Sequence, residues 1–194
     1  MGIPRIDTGP MTLSEFYAFT DTRPDDERWE LIDGEPVMNA SPSFTHQVIV
    51  SNVVGLLKII QFQERRSWIV LPSMGIRIAV KDRPEPDIIV RPKEAPQNDP
   101  MSRECDDAIV VFEILSPSTA DRDLRWKRKA YASLDSVTDY VVIAQDVVEV
   151  AVYERKSGFA ERRLETIGAS LELPAIGVTL ALADIYRDTG LHKK

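Results

Sequence analysis

The chain is poor in the residues on which several protein classes depend. Its 194 residues include one cysteine, so no disulfide can form within the chain, and only two histidines, His46 and His192. A zinc site of cysteine and histidine cannot reach four protein ligands from this set without borrowing carboxylates. Any metal is therefore expected to be a hard, oxygen-preferring ion. Cys105 stands among Glu104, Asp106 and Asp107, whose field raises a thiol pKa, so it reads as an inert thiol and not a nucleophile. There is no Gly-x-Ser-x-Gly segment and no histidine near a plausible nucleophile, which leaves a thiol or serine hydrolase without support. A basic excess is also missing. With 24 lysines and arginines against 31 acidic residues, the net charge is −7, which excludes a purely electrostatic coat for nucleic acid. It does not exclude a nucleic-acid enzyme, because a carboxylate metal site adds negative charge that bound ions offset. No apolar run approaches the roughly 20 residues that span a bilayer, and the opening MGIPRIDTGP has no charged-then-apolar signal pattern. A cytoplasmic, soluble protein without a membrane partner is the expectation.

What is present describes a folded α/β chain. Hydrophobic residues at 43% and charged residues at 28% suffice for a sizeable core, and the length predicts one domain over 1–194, with 1–10 as a loose arm. Thr12 and Glu15 form a capping box that predicts a helix over Met11–Thr20. Asp33-Gly34 between two short apolar runs predicts a tight hairpin. Val48, Ile49, Val53, Leu56, Leu57, Ile60 and Phe62, spaced mostly by three and four, predict an amphipathic helix from Thr45 to about Arg65. Strands are expected at Trp68–Leu71, Gly75–Val80, Asp87–Val90 and Ala108–Leu115, the last two rich enough in Ile and Val to be covered on both faces. The polar, proline-bearing stretch 91–107 reads as a long loop. A helix from Ala120 to Leu134, a strand at Asp139–Ile143, a hairpin of Val147–Tyr153 and Phe159–Leu164, and a helical turn at Leu182–Tyr186 complete the reading.

Three polar residues interrupt apolar elements. Asp87 opens the strand DIIV, Glu113 lies late in AIVVFEIL, and Lys127 sits within the following helix. If those two strands are antiparallel neighbours, the start of one lies beside the end of the other and the carboxylates meet at one edge of the sheet. A helix packed back over the sheet then brings Lys127 to the same place, with Tyr131 four residues on along the same side. Two carboxylates and a lysine suit phosphodiester hydrolysis with a divalent ion. The bland alternatives are a strand-opening Asp87, a Glu113 paired with an arginine, and an Asp123–Lys127 helix pair. A glutamate within VVFEIL resists such an explanation, because an unpartnered buried carboxylate is costly.

The strings RWELIDGEPVM, SPSFTHQVIV, EPDIIV and VVFEILSPSTADRDLRWKRKAYASLDSVTDYVVI, in this order and spacing, resemble the Uma-type family of restriction endonucleases, a branch of the PD-(D/E)XK nuclease superfamily. The resemblance runs from the first helix to the terminal LADIY turn. It implies a restriction-endonuclease-like α/β fold, with a central mixed β-sheet flanked by helices and extra β-hairpins, and an endonuclease that hydrolyses DNA using Mg²⁺ or Mn²⁺. By the same resemblance Asp87 and Glu113 are the metal ligands. Leu115 occupies the position where the superfamily pattern has its lysine, and Lys127, followed by Tyr131, replaces it. Glu30 and His46 match further family positions and are secondary candidates. Ser116, Ser118 and Thr119 precede a helix and are expected to cap it or to face a phosphate. Arg122, Arg125, Lys127, Arg128 and Lys129 make that helix a candidate DNA-facing surface, or a solvated one. Many nucleases of this fold pair to cut two strands, so a homodimer is also implied. The alternative from another class is a catalytically inactive nuclease-fold module that binds nucleic acid or protein.

Overall fold

The fold follows from a sheet that is apolar on both faces. The computed structural model describes residues 9–94, 99–116 and 122–191, with the side chains of residues 122 and 123 excepted. Most of the 1–10 arm, Ser118, Thr119 and His192 lie outside the described residues, as do the side chains of Arg122 and Asp123. The helices are α1 (Leu13–Thr20), α2 (Phe44–Gln63), α3 (Arg128–Ala132) and α4 (Leu182–Ile185). The strands are β1 (Trp29–Ile32), β2 (Glu35–Met38), β3 (Trp68–Pro72), β4 (Gly75–Ile76), β5 (Ile88–Pro92), β6 (Glu104–Cys105), β7 (Val110–Leu115), β8 (Asp139–Ala144), β9 (Val150–Glu154), β10 (Glu161–Leu164), β11 (Ser170–Leu173) and β12 (Val178–Ala181).

Six strands form one mixed sheet in the order β10-β9-β8-β7-β5-β3. Only β7 and β8 are parallel, joined by the crossover that carries α3. Alternation along the strands splits their side chains between two cores. Ile88, Val90, Phe112, Ile114 and Val141 pack with Ile49, Val53 and Leu57 of α2 on one face. Ile89, Val111, Tyr140 and Val142 pack with Tyr131 of α3 on the other. The four-residue spacing of the buried α2 residues explains why that helix covers the sheet, although Phe62 of the predicted stripe is 71% exposed.

Smaller units surround this sheet. The predicted capping box is present: the Thr12 hydroxyl accepts from the Glu15 amide while the Glu15 carboxylate accepts from the Thr12 amide. The β1–β2 turn places Asp33 and Gly34 at φ 52° and 78°, the positive angles that their sequence predicts. Paired amide–carbonyl bonds between Leu31 and Arg83 dock this hairpin against the approach to β5. Among the described residues, no helix is long and apolar enough to cross a membrane.

Several expectations change in extent. The predicted strand Gly75–Val80 shrinks to β4, because the chain turns back at once through Ala79–Asp82 and Arg83 fills the space beside Gly75. The stretch read as loop contributes β6, which pairs in parallel with β4. The helix expected over Ala120–Leu134 is described from Arg122, opens as a π-helical segment over Arg122–Lys127 and ends at Ala132. A further hairpin, β11–β12, was not anticipated.

Candidate functional site

The site sits where β5 and β7 part. Their antiparallel register aligns Ile88 with Phe112, and backbone pairing stops there. Beyond it, the Ile114 amide donates to Asp87 Oδ2 at 2.8 Å, so a side chain takes over from the ladder and the carboxylate is held at the sheet's end. Alternation in β7 turns Glu113 away from the Phe112 and Ile114 side, toward α3. The sequence placed these two residues at one sheet edge by the same reasoning, and they line one cleft of about 160 Å³.

Lys127 ends the π-helical segment, the kind of local widening that recurs at functional sites. It is only 2% exposed, and its Nζ lies 2.7 Å from Glu113 Oε1 and 2.8 Å from Glu30 Oε1. The Tyr131 hydroxyl, one helical turn later, donates to the same Glu113 oxygen at 3.0 Å. Thus the stretch after β7 brings both Lys127 and Tyr131 to Glu113. Burial, followed by the nearby Glu113 charge, pushes the Tyr131 phenol well above its ordinary value and keeps it a donor.

Glu30 comes from β1, where alternation buries Trp29 and Leu31 in an apolar cluster and turns Glu30 the other way. It is fully buried, and its Oε1 also accepts from the Glu85 amide at 2.8 Å. His46 lies in the first turn of α2, where the Ser43 hydroxyl accepts from the His46 amide at 3.1 Å. The imidazole Nε2 stands 3.3 Å from Asp87 Oδ2. Burial by itself raises the Asp87 pKa. The His46 hydrogen bond and charge, the Ile114 amide and the Lys127 charge outweigh it and hold the carboxyl below its ordinary value. All five sequence candidates therefore meet, and Ser116 also lines the cleft.

The sequence reading missed Arg28 and Glu85. Arg28 Nε donates to Glu85 Oε1 at 3.1 Å, and both residues line the cleft. The arginine in RWELIDG, two before Glu30, was an available signal; Glu85 meets Arg28 and Arg83 through its carboxylate, but its contact with Glu30 is made by a backbone amide, which no residue type announces. The basic 120s stretch divides: Lys127 turns inward, Arg128 stacks 5.2 Å over Tyr153, and Arg125 and Lys129 are exposed. Cys105 is buried, and burial, more than the neighbouring acids, pushes its thiol up to about 11.

Among the described residues there is no gathered set of three or more His, Cys, Asp or Glu side chains suited to a metal ion. A hard ion such as Mg²⁺ needs fewer, since it keeps several waters and binds through one or two carboxylates. The oxygen donors of Asp87 and Glu113, an ionised aspartate among them, fit that requirement.

A family model described as "Putative restriction endonuclease", Uma2, matches residues 13–183. The chain belongs to the Uma2 family. The structure is also similar to the crystal structure of a putative nuclease belonging to DUF820 from Anabaena variabilis ATCC 29413. The TM-score is 0.76 at 18% identity, over 91% of this chain and 98% of that one. The likeness establishes the nuclease-like fold, as the sequence resemblance implied. No curated protein matches the chain in sequence.

Proposed function

We propose that this Uma2 chain is a divalent-metal-dependent endonuclease that hydrolyses DNA phosphodiester bonds. The observation that carries the reading is the buried Lys127 head group resting on Glu113 in the cleft that Asp87 also lines. Asp87 and Glu113 would hold Mg²⁺ or Mn²⁺, which when bound polarises the phosphate and lowers the pKa of a coordinated water. His46 and the Ile114 amide keep the Asp87 carboxylate ionised and fixed in direction. Lys127 orients the attacking water and balances charge as the phosphorus–oxygen bond to the leaving strand breaks. Glu30 and Tyr131 are positioning residues: both meet the Lys127–Glu113 pair and fix where the ammonium group stands. Family membership supports DNA as the substrate. The proposal extends to a cytoplasmic location and to a homodimer where both strands are cut.

One observation favours a second reading, an inactive binding module: Glu113 Oε1 is already engaged by both Lys127 and Tyr131. Incubation of supercoiled plasmid and labelled single-stranded DNA with Mn²⁺, Mg²⁺ or EDTA separates the two. Cleavage that requires metal and disappears in Glu113→Ala supports the nuclease. DNA binding without cleavage under any of these conditions supports the module.

A further inference from the structure

A second cavity, of about 300 Å³, adjoins the cleft, and Arg28 and Glu85 line both. Its volume lies at the lower end of the range for ligand sites. One wall is aromatic, with Tyr17 and the buried Phe16 and Trp29. Most of its charged groups already have partners. Glu85 holds Arg28 and Arg83, Asp21 holds Arg103, and Glu27 accepts from the Trp29 indole at 2.9 Å. Arg23 and Asp25 are different: neither has an ion-pair partner among the described residues. The Arg23 guanidinium lies 4.5 Å over the Phe19 ring and 5.8 Å from the Trp29 ring, and its Nε has no hydrogen-bond acceptor among the described residues.

Four arginines line the cavity against Asp25, Glu27 and Glu85, and with Asp21 on Arg103 the charges balance, so the cavity offers a simple anion little net attraction. It suits a planar heterocycle that carries donors and acceptors on one edge, because guanidinium planes and aromatic rings stack such rings while an arginine and a carboxylate read the edge. We infer that this cavity receives an unstacked nucleobase of the strand whose phosphate lies in the adjoining cleft, between the Arg23 side and the Tyr17–Trp29 wall. Arg23 donates to the base and Asp25 accepts from it. The shared Arg28–Glu85 pair is the passage between phosphate and base. The inference rests on the nuclease reading for the position of the phosphate.

The test is an abasic scan. A labelled single-stranded oligonucleotide and a series with one base removed at each position in turn are titrated with the full chain in Ca²⁺, with anisotropy as the readout. One position is expected to cost about tenfold in affinity, the scale of one base–aromatic stack. That cost should fall to less than about twofold in Thr20→Trp, which fills the cavity, and in Arg23→Ala, which removes the donor plane. If Thr20→Trp melts early, Arg23→Ala carries the comparison. A flat scan, a positional cost unchanged in Arg23→Ala, or absence of binding overturns the inference. Cleavage of the same series in Mn²⁺ separates the two claims. Cleavage with a flat scan sinks the base site alone, whereas a base-dependent scan without cleavage sinks the nuclease reading and leaves the cavity as a nucleobase site.

Discussion

Lys127 Nζ lies 2.7 Å from Glu113 Oε1, with both side chains no more than 5% exposed. Removing one partner of a buried pair leaves an uncompensated charge, and here Glu30 loses the same cation. Lys127→Met is expected to lower stability by about 3–5 kcal/mol. Lys127→Met combined with Glu113→Gln should cost less than the sum of the single changes by about 1–3 kcal/mol. Urea unfolding of the four proteins in the cycle measures this. Additivity would show that the pair is not coupled.

Asp87 supplies a pH signature. Its folded pKa lies below the ordinary 3.8, so the unfolded chain takes up its proton first as the solution is acidified. The stability it contributes is complete well above pH 3.8 and is lost as pH falls through the lower folded value. The melting-temperature gap between the parent and Asp87→Asn should narrow as pH falls below about 4. A gap that widens over that range would contradict the assignment.

Gly75 is required by a close approach, not by its own backbone angle. A Cβ there would stand 2.2 Å from Arg83 Cζ, and Arg83 is held by the Arg103 carbonyl at 2.6 Å and by Glu85 at 3.0 Å. Gly75→Ala should destabilise by about 1–3 kcal/mol, as overpacking does. Thermal melts of Gly75→Ala with and without Arg83→Ala check the cause, since the second change should remove most of the penalty.

Cys105 should be silent. With its thiol raised to about 11, the native protein is expected to react with a thiol-specific disulfide reagent at pH 8 far more slowly than the urea-unfolded chain. Comparable rates would mean that the side chain is open to solvent.

The site was legible where chemistry interrupts a pattern. Asp87 and Glu113 stood out because carboxylates break Val/Ile strands, and antiparallel adjacency brings them together. Lys127 was legible as a residue on the inward side of a helix, but its π-helical setting was not, because a widened turn carries no strong residue signature. The link from Glu85 to Glu30 was invisible because a backbone amide makes it. The β4–β6 pair was missed for a related reason. Two-residue strands are stabilised by their surroundings, here the buried Arg83 and the Arg77 amide on the Cys105 carbonyl, and not by residue alternation. The β11–β12 hairpin has clear alternation, but each strand has only four residues, too few for the period to separate from chance.

The central claim is that a lysine from the following helix serves the carboxylate site. Its most direct test is the rate of Mn²⁺-dependent DNA nicking by Lys127→Ala relative to the parent, in preparations shown to be folded. The account predicts a loss of about 10²-fold or more, with DNA binding retained. Nicking at the parental rate in Lys127→Ala would contradict it.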